Sequence, residues 1–123
     1  MPHIIIAEDE DDVREFLTRA FSRAAPEAQI ISAANGASAL DLVQAHECHL
    51  LISDQRMPTM TGIDLLRAVR ACGYVFPFIM LSADATVEAA ALQAGVTAFF
   101  YKPLSLRQIR EIVATWLAPP TYV

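Results

Sequence analysis

With 123 residues, 54% of them hydrophobic and 19% charged, the chain has the length of one domain and enough apolar content to pack an interior; this argues against disorder and against two separate cores. The formal net charge is -5 and the nine Lys and Arg residues are scattered rather than gathered in a stripe, which argues against direct nucleic-acid binding. Cys48 and Cys72 are too few for a disulfide scaffold and lack metal-site spacing, so both are expected as reduced thiols in a cytoplasmic protein. The first residues form a short apolar strand rather than a signal-peptide pattern, and no apolar run approaches the roughly 20 residues that cross a bilayer.

In chain order, short β-branched runs alternate with amphipathic ones. His3–Ala7 reads as a strand. Val13, Phe16, Leu17, Ala20, Phe21 and Ala24 recur at helical spacing, with Pro26 closing the helix. Gln29–Ala33 is a second strand, Asn35-Gly36 a turn, and Ala39, Leu40 and Val43 mark a second helix. Leu50–Ser53 is a third strand, ending at Asp54. Thr61 and Asp64 make a capping box for a helix carrying Ile63, Leu66 and Val69. Phe78–Leu81 is a fourth strand, ending at Ser82, and Thr86–Ala94 an alanine-rich helix stopped by Gly95. Ala98–Tyr101 is a fifth strand, ending at Lys102. Ser105 and Gln108 cap a last helix with Leu106, Ile109, Val113 and Trp116 on one face, and Pro119-Pro120 stops it. Strict alternation of strand and helix predicts an α/β domain with a parallel sheet, whose first, third and fourth strands are apolar enough to be buried on both faces. Residues 1–118 form the domain, and 119–123 a tail or the start of a linker.

In an open parallel sheet, ligands sit beyond the carboxyl ends of the strands. The polar residues at those ends are Glu8 and Asp9, Asp54, Ser82 and Lys102. Three acids close together repel unless a cation joins them, and Mg²⁺, a hard ion preferring oxygen ligands, suits such a set. Lys102 adds a point charge for a phosphoryl oxygen and Ser82 a hydroxyl donor. Taken singly, each residue has a plainer reading. Glu8–Asp12 could be a solvated loop with Asp11 or Asp12 capping the first helix, and Asp54 a turn residue. Ser82 could be an idle strand-end hydroxyl, and Lys102 a surface lysine. The common sheet edge is what favours the joint reading. His3, His46 and His49 share no ligand spacing and are read as structural, and the acidic run lacks the glycine of an EF-hand loop.

The segments IIIAEDEDD, LLISDQRMPTMTG, IMLSADA and FFYKPL resemble, in order and spacing, the signature segments of CheY-like response-regulator receiver domains. The resemblance covers essentially the whole chain. It implies a (βα)5 doubly wound, flavodoxin-like fold with strand order 2-1-3-4-5. It implies that Asp54 accepts a phosphoryl group from a phosphohistidine on a histidine kinase or histidine phosphotransfer protein. Asp9, Asp54 and the backbone carbonyl of Arg56 would ligate Mg²⁺, with Glu8 acting through water. Lys102 would neutralise charge, while Ser82 and Phe99 act as the switch. It also implies a cis Lys102-Pro103 bond and an output partner or domain on the face of the fourth helix, fifth strand and fifth helix. That face is apolar here, with Ala89, Ala90, Ala91, Ala94, Leu92 and Tyr101, so an apolar contact is expected in place of a charge-laced dimer. Three residues depart from the family's usual choices: Ser82 for threonine, Phe99 for tyrosine, and the charged Arg56 beside the phosphoacceptor. Arg56 and Asp84, each two residues past a site residue, are expected to pair across the mouth and restrict water. Two alternatives remain: a Mg²⁺-dependent phosphohydrolase with an aspartyl intermediate, which would want a second acid where Arg56 stands, and a receiver-like module that no longer takes phosphate.

Overall fold

The computed structural model describes residues 1–117. Its elements are β1 (His3–Ala7), α1 (Asp11–Ala24), β2 (Gln29–Ala33), α2 (Gly36–Ala45), β3 (Leu50–Asp54), α3 (Gly62–Ala71), β4 (Phe78–Ser82), a 3₁₀ turn (Ala85–Val87), α4 (Glu88–Gln93), β5 (Ala98–Tyr101) and α5 (Leu106–Trp116). The strands form one parallel sheet in the order β2-β1-β3-β4-β5. This is the expected doubly wound arrangement. The chain winds outward from β1 to β2, then crosses back to β3, which opens a crevice where β1 and β3 diverge. The expected boundary at residue 118, the tail 119–123 and the Pro119-Pro120 stop lie outside the described residues.

The central strands explain themselves by burial. β3 and β4 are buried throughout, as is β1 after His3. Side chains alternate between faces along each strand. Ile5, Leu51, Phe78 and Met80 therefore join the core under α2, α3 and α4, while Ile4, Ile6, Leu50, Ile52, Ile79 and Leu81 join the core under α1 and α5. Each such side chain, once fully buried, contributes about 1.5–3 kcal/mol. The edge strands β2 and β5 carry less-buried patterns, as an edge requires.

The helices follow their caps. Thr61 and Ser105 accept from the Asp64 and Gln108 amides, and both reciprocal bonds of each capping box are present. Asn35 caps α2 through the Ser38 amide. Three details differ from expectation. Neither Asp11 nor Asp12 caps α1; the N-cap is Glu10, without a side-chain bond, and both aspartates lie in the first turn, where the helix dipole favours them. The Thr86–Ala94 run divides into the 3₁₀ turn and the shorter α4, because Asp84 accepts from both the amide and the hydroxyl of Thr86 and tightens the first turn. Leu106 and Phe16 point outward at 55% and 46% exposure, and Ile112 takes the core place assigned to Leu106.

The cysteines differ sharply. Cys48 packs against the core and burial pushes its thiol up to about 12, whereas Cys72 is exposed at the end of α3. Burial thus keeps the Cys48 thiol in its unreactive protonated form and away from solvent. Iodoacetamide is expected to alkylate Cys72 in the native protein and Cys48 only after denaturation, a difference peptide mapping reads directly. Equal rates at the two positions would contradict the burial of Cys48.

Candidate functional site

The topology brings four strand ends together. Glu8 and Asp9 follow β1, Asp54 ends β3, Ser82 ends β4 and Lys102 follows β5. Asp9, Asp54, Ser82 and Lys102 line a cleft of about 710 Å³, with Arg56 and Asp84 at its mouth. The Lys102-Pro103 peptide is cis, as expected.

Lys102 is the centre of the geometry. Its Nζ donates to Glu8 Oε1 at 3.0 Å and lies 3.5 Å from Asp54 Oδ1. Glu8 is 0% exposed and Asp54 5%. Burial raises the Glu8 carboxyl above its usual range, the charge of Asp54 adds to the rise, and the hydrogen bond from Lys102 opposes it. Burial likewise raises Asp54, again opposed by Lys102. For Lys102, burial pulls downward, but the bond to Glu8 and the charges of Asp54 and Glu8 outweigh it and hold the ammonium above its usual value.

One ammonium therefore faces three acids. Carboxylate oxygens of Glu8, Asp9 and Asp54 all lie within 4.8 Å of one another. Burial and the neighbouring negative charges oppose the charged forms of Glu8 and Asp54, and a further cation would offset both. The donors are hard oxygens, and the cleft leaves room for water. Such a set fits Mg²⁺ rather than a metal preferring nitrogen or sulfur.

The surrounding frame holds these acids in place. Glu8 Oε2 accepts from the Glu10 amide at 3.2 Å, and the Glu8 carbonyl accepts from Arg14 Nη1 at 3.0 Å. Arg14 also pairs with Asp11 at 2.6 Å. Below Asp54, Gln55 Oε1 accepts from the Ile63 amide at 2.8 Å, which anchors the start of α3. A Cβ on Gly62 would sit 2.5 Å from the Asp54 carbonyl oxygen, so only glycine allows the helix this close. The Arg14–Glu8 and Gln55–Ile63 bonds are not legible in the sequence, because their partners lie six and eight residues apart, outside any local capping pattern.

The switch candidates sit on one face of the sheet. Ser82 Oγ accepts from the Asp84 amide at 3.0 Å. Phe99 packs on the α2–α4 side, edge-on to Tyr101 with ring centroids 5.3 Å apart. The Tyr101 hydroxyl donates to Glu88 Oε1 at 2.6 Å, tying β5 to α4. Arg56 and Asp84 do not form the expected ion pair within 4.0 Å. Asp84 is engaged by Thr86, whose side-chain and backbone bonds are the main causes lowering its carboxyl, and the charge of Arg56 adds least.

A family model described as the response regulator receiver domain matches residues 4–114. The response regulator protein PilR of Pseudomonas aeruginosa is 33% identical over 115 residues, which are 92% of this chain and 25% of PilR. The chain thus spans about a quarter of that relative's length. The chemotaxis protein CheY of the same organism is 40% identical over 83 residues, 63% of this chain and 65% of CheY. Among solved structures, the receiver domain of the Francisella response regulator 1452 superposes with a TM-score of 0.82 at 25% identity, over 92% of this chain and 93% of that one.

Proposed function

Because the chain belongs to the response regulator receiver family of two-component signalling, we propose that Asp54 is its phosphoacceptor, taking a phosphoryl group from a phosphohistidine on a histidine kinase or histidine phosphotransfer protein. The observation that carries this reading is the Lys102 ammonium held between Glu8 and Asp54 beside a three-carboxylate cluster. Phosphoryl transfer needs positioning and charge neutralisation more than covalent help from the protein. An Asp54 carboxylate oxygen forms the new bond to phosphorus. The bond from phosphorus to the donor imidazole breaks, and the imidazole leaves with that electron pair. Lys102 stands where it can meet the phosphoryl oxygens. Asp9, Asp54 and the Arg56 backbone carbonyl would hold Mg²⁺, with Glu8 acting through water. The bound ion would supply positive charge against the acids and the phosphoryl group.

The chain would catalyse its own phosphorylation and dephosphorylation and turn over no other substrate. A kinase partner of this kind would act on it in the cytoplasm; among the described residues no helix is long and apolar enough to cross a membrane. Incubation with acetyl phosphate and Mg²⁺ is expected to add one phosphoryl group, read as intact mass. A chain that stays unlabelled would overturn the assignment.

Output would leave through α4, β5 and α5. A phosphoryl group on Asp54 would draw the Ser82 hydroxyl from the Asp84 amide, and Phe99 would follow inward. The Tyr101–Glu88 bond lies across that route, holding α4 to β5. Being exposed, the bond is weak, and its loss would loosen α4 locally without unfolding the domain. Tyr101→Phe is therefore expected to speed amide exchange in α4 about two- to fivefold, with β1 and β3 unchanged. With beryllofluoride as a phosphoryl mimic, protection changes are expected within residues 84–112. Changes confined to α1 and α2 would place the output elsewhere.

A further inference from the structure

We propose that the α1 face is a self-complementary surface through which two copies of this chain pair about a two-fold axis, with their α1 helices antiparallel. α1 exposes Asp12, Phe16, Arg19 and Arg23 in one stripe. Their spacing of four, three and four residues keeps them on one side of the helix. The same spacing reads identically from either end. Asp12, Phe16, Arg19, Arg23 and Leu106 border an apolar groove of about 430 Å³ between α1 and α5, with Ala20 recessed in its floor.

The ends of the stripe carry opposite charges. Among the described residues, Asp12 and Arg23 make no ion pair within 4.0 Å, whereas Arg19 is held by Glu15 at 2.6 Å. At 1.5 Å per residue, Asp12 and Arg23 stand roughly 16 Å apart along the axis. A two-fold axis crossing α1 midway between them sets Asp12 of each copy against the partner's Arg23. The same operation brings the half-exposed Phe16 ring over the partner's Arg19 stem, beside the recess at Ala20. Charge and shape thus close with one operator, which an isologous interface requires.

The stripe is about four turns long, so the buried area falls at the small end of protein interfaces, and the pairing should be weak and salt-sensitive. Asp12 and Phe16 also line the groove that runs to Lys102 and Pro103. The paired state would therefore cover one side of the approach to Asp54.

Sedimentation velocity on the full chain, from about 10 to 500 µM, tests this. The wild type is expected to shift from monomer to dimer with rising concentration, and less so in high salt. Arg23→Asp and Asp12→Arg each set like charges together at both symmetry-related contacts and are expected to weaken pairing about tenfold or more. An equimolar mixture of the two variants is expected to restore it as a heterodimer, since both contacts are then attractive again. Circular dichroism checks that each variant is folded. A wild type that stays monomeric to the top concentration would overturn the proposal and leave the groove to a different partner. It would equally fall if either variant dimerised like the wild type, or if the mixture stayed monomeric. None of these outcomes depends on whether Asp54 is phosphorylated.

Discussion

Replacing Asp54 with asparagine is expected to abolish phosphoryl labelling by acetyl phosphate while leaving the fold intact. Asparagine keeps the size of the side chain and removes the anionic carboxylate proposed as the nucleophile. The change also takes one negative charge from a cluster whose acids already oppose one another, so stability should hold or rise. Chelation of Mg²⁺ should give the same loss in the wild type, since one ammonium then faces three carboxylates and an incoming phosphoryl anion. Lys102→Ala makes a second comparison. Loss of a point charge aimed at developing phosphoryl charge costs on the order of 100-fold in rate. It also leaves the fully buried Glu8 without its ion-pair partner, so rate and stability should fall together. Equal labelling of wild type and Asp54→Asn would place the phosphoryl group on another residue.

Gly62→Ala is expected to cause a loss of stability out of proportion to one methyl group. The added carbon would lie 2.5 Å from the Asp54 carbonyl oxygen and 3.0 Å from Gln55 Cα, both backbone atoms that cannot rotate away. Overpacking of this kind costs about 1–3 kcal/mol. For a domain of this size that corresponds to a melting temperature lower by roughly 3–15 °C. The strain falls on the residue we propose as the phosphoacceptor, so labelling at Asp54 should slow as well. Gly73 has a φ of +90° but no atom within 4 Å of an added Cβ. Gly73→Ala should therefore carry backbone strain alone and leave the labelling rate unchanged. A Gly62→Ala protein with wild-type melting and labelling would show that α3 can move aside.

Much of this architecture was legible in the residues. The all-apolar cores of β1, β3 and β4 identify central parallel strands, and the polar residue closing each strand marks the sheet edge where Glu8, Asp9, Asp54, Ser82 and Lys102 gather. The capping boxes at Thr61 and Ser105 located two helix starts. What escaped depends on three-dimensional neighbours. Lys102 lies nearer to Glu8 than to Asp54, although 94 residues separate it from Glu8, and no local pattern encodes that preference. Helical periodicity gave α5 an apolar stripe but could not choose between Leu106 and Ile112, because only the position of α1 decides which side is covered. Charges two residues past Asp54 and Ser82 suggested a pair, yet a nearer hydroxyl, Thr86, claimed Asp84.

The sheet divides the interior into two layers, and β5 feeds one aromatic side chain to the second of them. Phe99 and Tyr101 project toward α4, whereas Phe100 meets Trp116 edge-on, with ring centroids 6.1 Å apart, on the α5 side. Trp116 is the chain's sole tryptophan. Its emission therefore samples the layer opposite α4, and a rearrangement of α4 alone would leave the spectrum dark to it. A tryptophan introduced by Tyr101→Trp would sample the other layer. Recorded together, the native and introduced fluorophores would distinguish a signal that stays on one side of the sheet from one that passes through the β5 backbone to the other.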